Sequence, residues 1–437
     1  MSIIVRAALY AACALLLSSC QRSDAQDVRP TSDPNERDVA SAYYDGYRPS
    51  NGSQSECFGR LAFEVPAKPL LEWGLPRGKS NDQILGFSRI LQGGQDMIHL
   101  ADVAVVVVAG ATPNTIKEMQ RLTGVDKNLA RHDIDASIKG DLSAAESLEQ
   151  QITRKEIQAD PEQFARYKSD AAHFRKSAEE HAAGKIRLEK SWHPTDWGLP
   201  NSLGYIAGPT LYAFILRNGY AFQFMSTGGE GDPPFEERLA AFKSLLQRFE
   251  YRPLYQVPTK PGLCIPHGFI ADDGQGHFSG EVSYRYADSP GVIYTLGTGV
   301  EDEQNFRANE PMLEATARST VAGLMGNAAG RKLKALGPKS VSIGARSGTM
   351  GGITTTEGKP GYSVYAGTSG WSHSKVLVPI SLNMRSFDRE TVPGEIKVDP
   401  PPFAQSLLRF ELTLGSMRTR HTAQPTGEGT PSPRNTQ

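Results

Sequence analysis

The chain has 437 residues, with 47 Lys and Arg against 48 Asp and Glu, and a formal net charge of −1 at pH 7. A near-neutral chain provides neither a basic field for nucleic acid or anionic lipid nor a strongly acidic one, so we predict no nucleic-acid partner. The length is enough for two domains once the terminal segments are set aside.

The first nineteen residues have the parts of a secretory signal: Arg6, a short apolar run from Ala7 to Leu17, and small residues before Cys20. The run is too short to cross a hydrocarbon core, which needs about 20 apolar residues. The string Leu-Ser-Ser-Cys resembles a bacterial lipobox, in which the cysteine is acylated. We therefore predict a lipoprotein signal peptide at residues 1–19 and lipidation at Cys20. An ordinary cleaved signal with a chance cysteine is the alternative.

The segment that follows is rich in Asp, Arg, Ser, Pro and Asn and almost lacks aliphatic residues. Such a segment cannot bury enough surface to offset its ordering entropy, so residues 20–54 are predicted to be a disordered tether reaching about 30 Å. Residues 421–437 are predicted to be a disordered tail. Gln21 favours the outer membrane by resemblance to sorted lipoproteins, so the predicted location is the periplasmic face of that membrane.

The first half of the folded part alternates strand and helix patterns. Ala101 to Ala111 is an apolar run that suits a buried strand. A charged helical stretch from Leu142 to Lys185, broken at Asp160-Pro161, predicts a helical hairpin lying on the fold or projecting from it. Thr210 to Arg217 and Tyr220 to Ser226 flank an Asn-Gly dipeptide, which is typical of a type I′ hairpin turn.

The strongest internal signal is a repeated helical pattern with one buried apolar stripe. Each copy begins with an acidic residue, Asp232 or Asp399, followed by prolines that suit a helix start. From the first phenylalanine onward the two copies coincide without gaps. The paired positions are Phe235 and Phe403, Leu239 and Leu407, Phe242 and Phe410, Leu246 and Leu414, Phe249 and Met417, and Arg252 and Arg420.

The second half also contains strand pairs before its helix. Tyr362 to Ala366 and Lys375 to Met384 are predicted strands, and a further hairpin is predicted around a turn at 288–291. Each half opens with an extended segment after a cysteine, Cys57 or Cys264. The predicted fold class is therefore α+β, with two related domains at 55–255 and 256–420. Each domain is an antiparallel sheet packed with helices and closed by a strand–strand–helix unit.

The search for catalytic chemistry yields no catalytic residue, metal site or cofactor motif. No Gly-x-Ser-x-Gly elbow occurs, and the Ser-x-x-Lys match at 372–375 lacks its partner motifs. His267 and His277 flank Asp272, but no metal-ligand spacing accompanies them. Trp192 and Trp197 are predicted to pack onto the sheet, with partner contact as the alternative.

The mature body contains two cysteines, Cys57 and Cys264. In an oxidising compartment a lone pair is a plausible disulfide, and the alternative is two buried free thiols, one in each domain.

Two motifs carry a family resemblance. Cys57-Phe-Gly-Arg, leading into Val65-Pro66, resembles the opening of the first domain of type VI secretion lipase-immunity proteins. Residues 261–265 followed by Gly-Phe-Ile resemble the opening of that family's second domain. His267 stands where the family often has a small residue.

The resemblance implies a periplasmic protein that binds and neutralises a phospholipase effector of the α/β-hydrolase class, with no catalytic residues of its own. A lipid-anchored protein that binds a small ligand or an envelope protein is the first alternative. A hydrolase with an unfamiliar site, using Ser369 or His373, is the second.

Overall fold

The computed structural model describes residues 47–76, 98–123, 127–229, 231–272, 277–299, 333–368, 378–390 and 396–420. All of them belong to one compact unit, Ser41–Gln437. Within these ranges, no helix is both long and apolar enough to span a membrane. The predicted lipidation site Cys20, and Ser369 and His373, lie outside the described residues.

The first half contains ten strands among the described residues. They are β1 Ser53–Phe58, β2 Leu61–Pro66, β3 Leu71–Trp73, β4 Ile98–Leu100, β5 Val103–Ala109, β6 Trp192–Thr195, β7 Ser202–Ala207, β8 Thr210–Arg217, β9 Tyr220–Ser226 and β10 Phe249–Tyr251. Its helices are α1 Pro113–Leu122, α2 Lys127–Ile152, α3 Lys155–Gln158, α4 Pro161–Ser191 and α5 Phe235–Gln247.

The second half has nine described strands and one described helix. The strands are β11 Gly262–Ile265, β12 Gly268–Ala271, β13 Phe278–Tyr286, β14 Ser289–Gly299, β15 Leu333–Ile343, β16 Arg346–Thr355, β17 Tyr362–Thr368, β18 Ile380–Ser386 and β19 Arg418–Thr419. The helix is α6 Phe403–Ser416.

A long antiparallel sheet runs through both halves. In the described part of the chain it has 13 strands, in the order β15-β16-β17-β18-β14-β13-β4-β5-β9-β8-β7-β6, with β3 also paired to β13. The halves join where Phe278 pairs with Leu100 and Ser279 with His99. The predicted α+β class with antiparallel sheets is therefore confirmed, and the two sheets are continuous.

Two small three-stranded sheets show how the halves are interlocked. The hairpin β1–β2 receives β19 from the second half, whereas the hairpin β11–β12 receives β10 from the first half. The registers match: Thr419 pairs with Leu61 and Tyr251 with Gly268, and Leu61 and Gly268 stand at equivalent positions after their cysteines. Each half therefore supplies the last strand of the other half's opening hairpin.

Several predicted elements are confirmed. The hairpin of β8 and β9 turns at Asn218 and Gly219, with φ of 46° and 79°, as a type I′ turn requires. The helical hairpin consists of α2 and α4 and is longer than predicted. The side chain of Asp160 caps α4 by accepting hydrogen bonds from two backbone N–H groups.

Three predicted boundaries were wrong. The helices do not continue to Arg252 and Arg420, because in both copies of the pattern the chain leaves the helix and forms a strand, β10 or β19. The turn predicted at 288–291 lies earlier, since Tyr286 already pairs with Ser289. Pro290 falls in the register shift that follows, where its missing N–H is not needed for pairing with β13. The fold also begins before residue 55, because β1 starts at Ser53.

Asp232 and Asp399 precede the helices as predicted, but neither caps them. The residues at the N-cap positions are Pro234 and Pro402, which make no side-chain cap. Asp232 accepts a hydrogen bond from the backbone of Gly229, and Asp399 pairs with Arg389.

Candidate functional site

The two opening hairpins meet at a disulfide. The sulfurs of Cys57 and Cys264 are bonded, with Cα atoms 5.8 Å apart and a sequence separation of 207. Gly59 and Cys264 also exchange backbone hydrogen bonds of 2.7 and 2.9 Å. Both cysteines are fully buried. The junction of the halves is therefore held covalently and by backbone pairing.

Arg252 and Arg420 occupy equivalent places on either side of this disulfide. The backbone N–H of Arg252 donates to the carbonyl of His267, and that of Arg420 donates to the carbonyl of Arg60. Their guanidinium groups have different partners. Arg252 pairs with the fully buried carboxylate of Glu56. Arg420 instead donates to backbone carbonyls in the segment before and at the start of β11, among them those of Lys260 and Gly262.

Buried charges at the junction are paired. Arg60 and Asp272 form an ion pair at 2.8 Å, and both side chains are almost completely buried. Breaking such a pair leaves an uncompensated buried charge, which is strongly destabilising. Arg60, Arg252 and Arg420 therefore fix the placement of the two hairpins relative to each other.

His267 forms the turn of the second opening hairpin. It has φ of 56° and its ring stacks on Tyr220 at 3.9 Å between centroids. Burial, with a further contribution from the charge of Arg252, lowers the pKa of His267 to about 4. The ring is therefore neutral at pH 7. Its Nδ1 has no hydrogen-bond partner among the described residues, and His277 is exposed on a different segment.

No group of three or more His, Cys, Asp or Glu side chains in the described ranges is placed to hold a metal ion. His267 and Asp272 are used within the junction, as a stacked ring and an ion-pair partner. Trp197 is buried against Phe242 at 5.2 Å and donates to the carbonyl of Tyr212, and Trp192 packs on Tyr205. The predicted packing of the two indoles is confirmed.

A cluster of buried tyrosines supports α6. Tyr284, Tyr286 and Tyr294 have ring centroids between 5.2 and 6.0 Å apart. The hydroxyl of Tyr294 donates to the carbonyl of Ser406, and that of Tyr284 contacts the hydroxyl of Thr413. Burial raises the pKa of all three phenols, so they remain neutral. The helix is thereby fixed on the sheet.

Arg409 joins α6 to the turn between β13 and β14. Its guanidinium lies 4.8 Å above the ring of Tyr286 and donates two hydrogen bonds to Asp288, at 2.6 and 2.8 Å. The hydrogen bonds with Arg409 lower the pKa of Asp288, and this carboxylate raises the pKa of Arg409. The pair is electrically neutral and holds the helix to the turn between these two strands.

The first described residues are attached beside the end of α6. Tyr47 and Ser50 donate hydrogen bonds to the carboxylate of Glu64 on β2, and the backbone N–H of Glu64 donates to Ser416 at 2.8 Å. Arg418 lies 4.8 Å above the Tyr47 ring. Burial raises the pKa of Glu64, but the hydrogen bonds from Ser50 and Tyr47 outweigh it, so the pKa is lowered overall.

The helical hairpin of α2 and α4 is an exposed arm with a polar surface. Ion pairs link its two helices, including Arg175 with Glu149 at 2.7 Å and Lys185 with Asp135 at 2.6 Å. Small residues line the contact between the helices, with Ala145, Ala171 and Ala178 buried. At about 1.5 Å per residue the helices are on the order of 40 Å long.

Large apolar side chains are exposed at six described positions. These are Leu70, Leu142, Ile186, Leu203, Val398 and Leu408. Single exposed residues of this kind are ordinary, and only a group of them indicates an interaction surface.

Comparison with known proteins assigns the second half. Residues 256–422 match the family model of the Tle cognate immunity protein 4 C-terminal domain. No curated protein sequence matches the chain. Residues 256–422 therefore belong to a family of immunity proteins, which are non-enzymatic inhibitors of their cognate effectors. The family predicted from the motif at 261–265 is confirmed for this half of the chain.

Solved structures of immunity proteins are similar to the chain at low identity. One is the immunity protein TplEi of the type VI secretion system of Pseudomonas aeruginosa in complex with an "L" peptide, with 14% identity and a TM-score of 0.46. Another is the Tle4–Tli4 complex, with 12% identity and a TM-score of 0.48. Each match covers 85% of this chain and 99% of the other chain.

Proposed function

We propose that this protein binds a cognate type VI secretion phospholipase effector in the periplasm and neutralises it stoichiometrically. The match of residues 256–422 to an immunity-protein domain carries the proposal. The interlocked fold supports it, because a rigid body loses less conformational entropy when it binds a partner. The junction of hairpins, disulfide and buried ion pairs supplies that rigidity.

The lipid anchor is part of the proposal. Acylation at Cys20 would tether the body to the periplasmic face of the outer membrane through a flexible segment that ends at Tyr47, where the first described contacts begin. A tether raises the local concentration of the protein where a phospholipase attacks. The anchor would therefore increase protection without adding a contact to the effector.

Co-expression tests both parts. A cognate phospholipase effector is directed to the periplasm alone, with the wild-type protein, and with a Cys20→Ala variant exported by a non-lipoprotein signal. The wild type is expected to restore growth and to be recovered with the lipase in a one-to-one complex. The unanchored variant is expected to bind equally in solution but to protect less at low expression. Equal killing with and without the wild type, and no complex, would refute the proposed function.

A further inference from the structure

The two sulfurs of the junction disulfide have different surroundings, although the hairpins that contain them are equivalent. The Nη1 group of Arg420 donates a hydrogen bond of 3.2 Å to Sγ of Cys264. Arg252, the equivalent arginine, instead donates a hydrogen bond of 3.1 Å to the backbone carbonyl of Cys57. A guanidinium group therefore contacts the sulfur of Cys264, whereas its counterpart contacts the backbone of Cys57.

The charges next to Cys57 add to this difference. Glu56 is fully buried, and its carboxylate accepts a hydrogen bond of 2.8 Å from the backbone N–H of Cys57. The same carboxylate pairs with Arg252, so the two groups together bring no net charge to this side of the disulfide. The ion pair of Arg60 and Asp272 is also neutral.

The position of Arg420 does not depend on the disulfide. Its backbone N–H donates to the carbonyl of Arg60, and its Nη2 group donates to the carbonyls of Pro258 and Lys260. The guanidinium also lies 5.1 Å from the ring centroid of Phe269. Because none of these contacts uses a sulfur, they can persist when the disulfide is reduced.

The remaining titratable groups on the neighbouring strands are paired or neutral. Lys260 pairs with Glu250, and His267 is neutral at pH 7. A cation beside a sulfur stabilises the thiolate over the thiol, so cysteines next to arginine ionise at lower pH. In the reduced and folded protein, the surroundings therefore favour a thiolate at Cys264 and a protonated thiol at Cys57.

The order of the chain gives the two cysteines different histories. Cys57 precedes Cys264 by 207 positions, so Cys57 emerges first when the chain is exported from its N-terminus. Arg420 directly follows β19, so it lies against Cys264 once β19 has paired with β2. Cys264 therefore gains its cationic neighbour when the exchange of hairpin strands is completed.

We propose that Cys57 forms a mixed disulfide with a periplasmic thiol–disulfide oxidoreductase, and that Cys264 displaces this enzyme once Arg420 has docked. In the emerging chain, the thiolate fraction of Cys57 attacks the disulfide of the enzyme, and one enzyme sulfur leaves as a thiolate. The thiolate of Cys264 then attacks Sγ of Cys57, and the second enzyme sulfur leaves. Both thiol protons go to solvent, and two electrons reduce the disulfide of the enzyme to a dithiol.

This assignment goes beyond effector binding, and it depends on export to an oxidising compartment and not on the effector. The disulfide closes last, in molecules in which β19 has already completed the opening hairpin of the first half. Arg420 is a positioning residue for this step, because it acts through the sulfur of Cys264.

A trapping experiment in cells tests the order of the two steps. The oxidoreductase has its second active-site cysteine replaced, so that mixed disulfides accumulate, and the full chain is exported as wild type, Cys57→Ser or Cys264→Ser. The covalent complex is expected to be enriched with Cys264→Ser and to be lost with Cys57→Ser. A complex that persists in Cys57→Ser and is lost in Cys264→Ser would overturn the proposal.

A redox titration separates the charge of Arg420 from its structural role. Residues 20–437 with Cys20→Ala, in which Cys57 and Cys264 are the only thiols, are equilibrated with glutathione buffers at pH 6 and pH 8. The disulfide equilibrium constant of Arg420→Met, divided by that of the wild type, is expected to rise at least about three-fold between the two pH values, because only the wild type has a stabilised thiolate. Arg420→Lys retains the charge and is expected to show a smaller rise.

A structural effect alone gives the same ratio at both pH values, and that result would overturn the role of Arg420. The ultraviolet absorbance of the thiolate provides a measurement without any change at Arg420. In the folded single variants, Cys264 is expected to ionise at least about one pH unit below Cys57. Ionisation of Cys57 at the same or a lower pH would also overturn the proposal.

Discussion

Replacing Cys57 and Cys264 by alanine removes the covalent link between the opening hairpins. The bond closes a loop between residues 207 apart, and in the chain-entropy model such a loop contributes about 5 kcal/mol by restricting the unfolded chain. Measured contributions are usually smaller, and the backbone hydrogen bonds between Gly59 and Cys264 remain in the variant. We therefore expect the double variant to lose about 3–5 kcal/mol of unfolding free energy.

Denaturant titration of the oxidised wild type, the reduced wild type and the Cys57→Ala/Cys264→Ala variant measures this loss. The reduced wild type separates the loss of the bond from the loss of the buried sulfurs, because it keeps both side chains. Alkylation before and after reduction, followed by mass spectrometry, reports the bond directly. If both thiols react in the unreduced protein, or if reduction shifts the unfolding free energy by less than about 1 kcal/mol, the reasoning is wrong.

Three further predictions concern single residues. Glu64→Gln is expected to lower the unfolding free energy by about 1–3 kcal/mol at pH 7 in urea titrations. Because folding lowers the pKa of Glu64, its carboxylate stabilises the protein above the unfolded pKa, and this stabilisation is lost as the pH falls through the folded pKa. If wild type and variant still differ by the same unfolding free energy at pH 3, the assignment is wrong. Gly59→Ala is expected to lower the thermal unfolding temperature more than Gly52→Ala does. Both glycines have positive φ, but only at Gly59 would a Cβ lie 2.4 Å from a phenylalanine ring. Equal losses in the two variants would refute this. His267 has its pKa lowered to about 4, so below the unfolded value of about 6.5 the unfolded state binds the extra proton and stability falls towards pH 4. His267→Asn is expected to flatten that part of the stability profile whereas the exposed His277→Asn leaves it unchanged, and identical profiles would exclude the histidine as the cause.

The sequence was informative wherever a local pattern determines the structure. The Asn-Gly turn, the apolar stripes of α5 and α6, and the Asp-Pro start of α4 each rest on contacts between near neighbours in the chain. The helix ends were predicted too late because Phe249 and Met417 continue the apolar spacing of a helix. The helices end there because the chain then pairs with a hairpin from the other half, far away in sequence: Phe249 pairs in β10, and the two residues after Met417 pair in β19.

The difference between α5 and α6 could be recognised in the sequence, but only once the repeat was aligned. Leu408 and Leu412 stand opposite Ala240 and Ser244, and this difference is visible in the printed chain. Periodicity alone does not reveal that Leu408 is exposed, because a wider apolar stripe would look the same. The hydrogen bond from Ala287 to Leu70 joins residues far apart in sequence, and no local pattern indicates it.

The exchange of hairpins bears on what a domain is in this chain. The segment that matches the family model begins at residue 256 and so lacks β1 and β2. In the structure β2 pairs with β19, and its Glu64 is bonded to Ser416 at the end of α6. Residues from the start of the folded chain therefore supply contacts to the end of α6 and to β19 in the C-terminal half. Tyr47, on the side of the chain that leads to the predicted lipidation site, is bonded to the same Glu64. Residues from both ends of the described chain therefore form one structural unit around the end of α6.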